Sequence, residues 1–134
     1  MDMVYARYFY ASLLIALASP AVLAADVFVV TNKSSTLNAG EIKDIFTGER
    51  QIENGVKIVP VDNASLQKDF LEKVIKVDAS KYASIWAKKG FREGLNPPGV
   101  KSTDAEVIAV LKSTPGGIGY ISKPNDDVKV LQKF

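Results

Sequence analysis

Hydrophobic positions fall into short groups of differing spacing, and the spacing predicts an alternation of strands and helices. Residues 27–30 (VFVV) are β-branched and aromatic with no polar alternation, the pattern of a strand buried on both faces. A polar stretch over 31–36 ends it. Asn38 and Glu41 then form a capping box, and Leu37 is placed to staple against Ile42. Ile42, Ile45 and Phe46 make the inward stripe of a short helix that Gly48 stops. A turn at Glu53, Asn54 and Gly55 leads into a second strand over 56–61, where Pro60 argues for a sheet edge or a strand end. Leu66, Phe70, Leu71, Val74 and Ile75 recur at helical spacing, so a helix is expected from Ala64 onward with Asp62 or Asn63 as its cap. Asp78 caps a further helix that carries Tyr82, Ile85 and Trp86 and stops at Gly90. The stretch over 94–99 reads as a loop, because Pro97 forbids helix at Asn96. Thr103 and Glu106 form a second capping box ahead of Val107, Val110 and Leu111. Strands over 118–121 and 128–131 close the chain. The resulting order, β-α-β-α-α-α-β-β, describes a single α/β domain without repeats or an internal linker.

The beginning of the chain is of another kind. Arg7 precedes an apolar run over 8–23, and Val22, Leu23 and Ala24 supply the small residues that signal peptidase accepts. Cleavage is expected after Ala24, giving a signal peptide over 1–24 and a mature domain over 25–134 in the periplasm. The other reading is an uncleaved anchor helix, but Pro20 interrupts the run and it falls short of the roughly 20 apolar residues a span needs. What remains suffices for one core and is too short for two. The chain has no His and no Cys, which excludes Ser-His-Asp and Cys-His nucleophiles, thiolate or imidazole metal sites, and disulfides. A non-enzyme without metal or cofactor is therefore expected. The formal net charge is +2, with Lys spread along the chain and no Arg-rich stripe, which argues against a nucleic-acid partner.

In an open α/β sheet, ligands bind beyond the carboxyl ends of the strands. Two polar loops fit that rule, one with Asn32 and Ser34, the other with Asn63 and Ser65 at the start of the longest apolar-periodic segment. Free N–H groups at a helix start, with a serine hydroxyl, can receive a small oxyanion. Asn63 or Asp62 acting only as the cap of its own helix is the alternative. The glycines over 114–120 (TPGGIGY) follow a helix and precede a strand, which suits chain reversal and close packing rather than a phosphate cradle. Asp126 and Asp127 read as a solvated turn.

Residues 37–48 (LNAGEIKDIFTG), 54–61 (NGVKIVPV), Phe70, Trp86 and 114–120 (TPGGIGY) resemble, in order, the phosphate-binding substrate-binding proteins of ABC transporters. The resemblance implies a type II periplasmic-binding fold, of which this chain supplies a single lobe. In full-length relatives the segment after the second strand carries an Arg and a Ser-Gly-Thr turn that grip phosphate. Here Ser65 is the residue that matches, and the Arg, Gly and Thr have no counterpart. The implied function is a non-enzymatic binding module for phosphate or a similar small oxyanion, with Asn32, Ser34, Asn63 and Ser65 lining the site. The alternative is a periplasmic protein-interaction module that partners a membrane sensor or transporter and holds no small molecule. A homodimer is a third way for one lobe to cover its ligand face.

Overall fold

A computed structural model describes residues 25–33 and 35–134. The expected signal peptide and Ser34 lie outside the described residues. The elements are β1 (Phe28–Thr31), α1 (Ala39–Phe46), β2 (Ile52–Glu53), β3 (Val56–Lys57), β4 (Val59–Asn63) and α2 (Gln67–Phe70). The last of these runs directly into a π-helical segment (Leu71–Ile75), and α3 (Ala79–Glu93), β5 (Gly99–Lys101), α4 (Asp104–Ser113), β6 (Gly117–Ile121) and β7 (Lys129–Lys133) follow.

Local signals account for most boundaries. The Asn38–Glu41 capping box forms in both directions, with Glu41 N donating to Asn38 Oδ1 at 2.8 Å. Asp78 and Thr103 each accept from the backbone N–H three residues on, opening α3 and α4. Four expectations differ from what is observed, one of them the helix expected to stop at Gly90, which runs on to Glu93 and is closed by Gly94 at φ 66. The strand expected over 56–61 is broken at Ile58, whose N–H turns to Gln51 O, so β3 pairs with β2 as a hairpin and β4 joins the main sheet. Asn54 and Gly55, both at positive φ, make the tight turn between β2 and β3. The helix expected from Ala64 begins at Gln67, because Asp62 and Asn63 stay in β4 to pair with β5. The stretch expected to be loop over 94–99 ends in a strand, because β5 begins at Gly99 and is too short to show alternation.

The main sheet runs β5-β4-β6-β1-β7, with β4 parallel to both β5 and β6 and with β1 antiparallel to β6 and β7. Pro60 lies near the start of β4, before its pairing with β5 begins at Val61, so its missing N–H falls at a strand end. Alternate side chains feed two cores. Val27, Val29, Ile118 and Tyr120 face α1, the α2–π segment and α3, while Val30, Val61 and Ile121 face α4. Phe46, Phe70 and Tyr120 form the centre of the larger core, with Phe70 stacked on Tyr120 at 3.9 Å and Phe46 edge-on to both. On the other face, a Cβ on Gly119 would sit 2.8 Å from Val107 Cγ1, so glycine lets α4 lie close on β6. Gly116, at φ 77, turns the chain where a Cβ would strike the Lys57 carbonyl oxygen. The two ends of the described stretch meet: Val27 and Phe134 exchange both backbone hydrogen bonds, at 3.0 and 2.8 Å.

Candidate functional site

Because β4 and β6 are parallel, their carboxyl ends lie together beside the start of α4. Asn63 is wholly buried there. Its Nδ2 donates to Asp104 Oδ1 at 2.7 Å and to the Tyr120 carbonyl at 3.0 Å. Its Oδ1 accepts from both Ser65 N (3.1 Å) and Ser65 Oγ (2.6 Å). Asp104 Oδ2 in turn accepts from Ser122 N at 3.0 Å and Ser122 Oγ at 2.6 Å. A single polar network thus ties the end of β4 to the first residue of α4 and the exit of β6.

Asp62 points to the opposite face of the sheet and is 2 % exposed. Its two oxygens accept from Tyr82 Oη on α3 and Tyr120 Oη on β6, each at 2.9 Å. Burial raises the Asp62 pKa to about 6, while the two tyrosine donors pull the other way. Burial, then the charge of Asp62, pushes both tyrosine hydroxyls above their ordinary value. They remain protonated donors across the physiological range.

The start of α2 lies immediately beyond this network. The other three α-helices are capped by their own Asn38, Asp78 and Thr103, whereas Leu66 supplies no side-chain cap to α2. The first N–H groups of a helix have no partner within it, and here no side chain caps them. Asn63, one of the two expected caps, spends its oxygen on Ser65 instead.

Asn32 does not share this place. Thr31 pairs with Ile118 at the start of β6, while Asn63 bonds to Tyr120 near its end, so the two polar loops lie at opposite ends of the sheet. Roughly 10 Å of strand separates them. Asn32 therefore does not line one site with Asn63 and Ser65: β1 runs antiparallel to β6, and so to β4, and its carboxyl end points away. Asn32 donates to the Leu111 and Thr114 carbonyls (2.9 and 3.1 Å) and closes the end of α4. Ser34 is outside the described residues. Asp62, Tyr82, Asp104 and Ser122 were not among the expected site residues. Tyr82 and Tyr120 read as core aromatics in the sequence, and nothing local announces that Asp104 meets Asn63 across 41 positions. Among the described residues there is no cluster of His, Cys, Asp and Glu able to hold a metal ion, and no helix long and apolar enough to cross a membrane.

No protein-family model and no curated protein matches the sequence. Solved structures do match. One is described as a phosphate ABC transporter substrate-binding protein with bound phosphate from Clostridium perfringens, at 19% identity and a TM-score of 0.61 over 83% of this chain and 46% of that one. The fold is like that of one lobe of a periplasmic-binding protein. An ABC-type phosphate transport receptor from Vibrio cholerae matches at 16% identity and a TM-score of 0.56, over 81% of this chain and 47% of that one. PstS from Borrelia burgdorferi matches at 23% identity and a TM-score of 0.50, over 72% and 41%. The chain spans about half the length of the solved structures it matches. At these identities the likeness is one of fold.

Proposed function

We propose that this chain is a non-enzymatic binding lobe acting in the periplasm, and that it receives phosphate or a similar small oxyanion at the uncapped start of α2. The observation that carries the reading is the fold likeness to a protein described with bound phosphate, together with a helix start that no side chain caps at the carboxyl end of β4. The Ser65 hydroxyl stands beside that opening with a free lone pair for a protonated oxyanion. Binding is weak for two reasons. Neither the Ser65 N–H nor its hydroxyl proton is free, since both go to Asn63. A lone lobe also leaves the ion in water, where each hydrogen bond counts for less.

The second reading is a protein-interaction module serving a membrane transporter or sensor. It draws on the completeness of the network: the side-chain donors of Asn63 and Ser65 and the Ser65 N–H are all satisfied inside the chain, with the carboxylates of Asp62 and Asp104 close behind. Calorimetric titration of phosphate, with sulfate as control, into residues 25–134 separates the two. Saturable heat at millimolar to micromolar Kd, roughly 4 to 8 kcal/mol, weakened several-fold by Ser65→Ala, supports the oxyanion reading. No heat at millimolar phosphate removes it and leaves the protein partner. Light scattering on the same sample reads the homodimer directly.

A further inference from the structure

Helix α3 turns Tyr82 and Trp86 into the core, 6 % and 7 % exposed. Phe91 lies about two and a half turns beyond Tyr82, on the opposite side of the helix, and is 93 % exposed. A single exposed apolar residue needs no explanation by itself. What surrounds this one is unusual in its charge. Lys88 precedes Phe91 by one turn, Arg92 follows it, and Lys81 lies two turns before Lys88 on the same flank. None of the three forms an ion pair among the described residues. The nearby acids are already engaged: Lys89 holds Glu49 at 2.7 Å and Glu93 at 3.2 Å, and Asp78 caps the helix start. The rest of the outer face is small, with Ser80, Ser84 and Ala87 all exposed.

Such a face asks for negative charge along one flank and an apolar layer under one ring. An anionic phospholipid surface supplies both at the right depth, headgroup phosphates above and acyl chains just below. Lys and Arg reach those phosphates on flexible stems while an aromatic ring settles at the boundary. A protein partner fits less well. Protein interfaces are depleted in Lys, and their anchoring side chains are ringed by packed neighbours rather than by Ser and Ala. We propose that the outer face of α3 docks this lobe on an anionic membrane surface, with Phe91 inserted and Lys81, Lys88 and Arg92 against the headgroups.

The test uses residues 25–134, which contain the whole sheet and both cores, because the apolar run over 8–23 would partition into lipid by itself. Co-sedimentation is measured with vesicles of equal parts phosphatidylglycerol and phosphatidylcholine, and with phosphatidylcholine alone, at low and physiological salt. Binding is expected only to the anionic vesicles, weakening as salt rises. Lys88→Glu with Arg92→Glu is expected to lower the partition coefficient at least about tenfold. Phe91→Ser is expected to lower it several-fold. A charge-matched control, Lys123→Glu with Lys129→Glu near the β7 edge, leaves it little changed, and circular dichroism verifies that each variant is folded. Equal binding to both vesicle types, or no binding at low salt, overturns the proposal. So does a control pair that weakens binding as much as the α3 pair, since attraction would then follow total charge alone. Binding of α3 to a polyglutamate peptide without binding to vesicles would replace the lipid by an acidic protein face.

Discussion

Asp62 carries the sharpest residue-level consequence. Its pKa is about 6 in the folded chain and 3.8 as an ordinary aspartate, so the folded state holds its proton more tightly than the unfolded one. The stability from that difference is fully present below pH 3.8 and is lost as pH rises through 6. The loss from this group between pH 4 and 7 is about 2 kcal/mol. Asp62→Asn removes the titration while keeping the shape. The stability of the variant relative to wild type is therefore expected to rise by about that amount from pH 4 to 7, as read by urea unfolding at each pH. A constant difference would show that the two tyrosine donors outweigh burial. Ser65 has a different weight: its exposed side chain sits outside the cores, so Ser65→Ala tests the ligand reading with little loss of stability.

At the scale of elements, β6 is the hinge of the packing, flanked by two strands and covered on both faces. Its glycines set the distance to α4. Gly119→Ala is expected to cost about 1–3 kcal/mol, measured by chemical unfolding, since the new methyl would meet Val107 Cγ1 at 2.8 Å. The same substitution combined with Val107→Ala should cost less than the sum of the two singles, because one removes the atom that the other strikes. The glycine-rich close of the chain was legible in this respect, as reversal at Gly116 and close packing at Gly119. The start of α2 was not. Helical periodicity of Leu66, Phe70 and Val74 is a property of side chains and says nothing about where the backbone leaves the strand. That boundary is set by pairing of β4 with β5, and β5 itself has no pattern of its own to read.

The whole molecule is closed by its ends. β1 and β7 are neighbours, Val27 and Phe134 exchange hydrogen bonds, and Lys73 Nζ reaches the Ala25 carbonyl at 2.8 Å. Removing residues 129–134 strips the edge from β1 and exposes part of the larger core. Loss of cooperative thermal unfolding is the expected outcome, and calorimetry reads it. The intact 25–134 chain should unfold in one transition, since both cores share β6 and β1 and no linker divides them. Pairings that join residues 28–31 to 118–133 are distant in sequence, so folding is expected to be slow for this size.

Caps, turns and apolar spacing are local, decided by neighbours within four positions, and so the α/β class, three of the four helix starts and the members of both cores could be read along the chain. So could the likeness to phosphate-binding lobes, carried by the short segments around Phe46, Pro60 and Gly117. Strand direction is another matter. Whether β1 runs with β4 or against it depends on how remote segments pair, and that choice sends Asn32 to one end of the sheet and Asn63 to the other. The same pairing brings Asp62 to two tyrosines and Asn63 to Asp104, contacts between residues 20 to 58 positions apart. Asn63 and Ser65, which look free to hold a ligand in a linear reading, are bound to each other in the fold, because burying a polar group without a partner is costly.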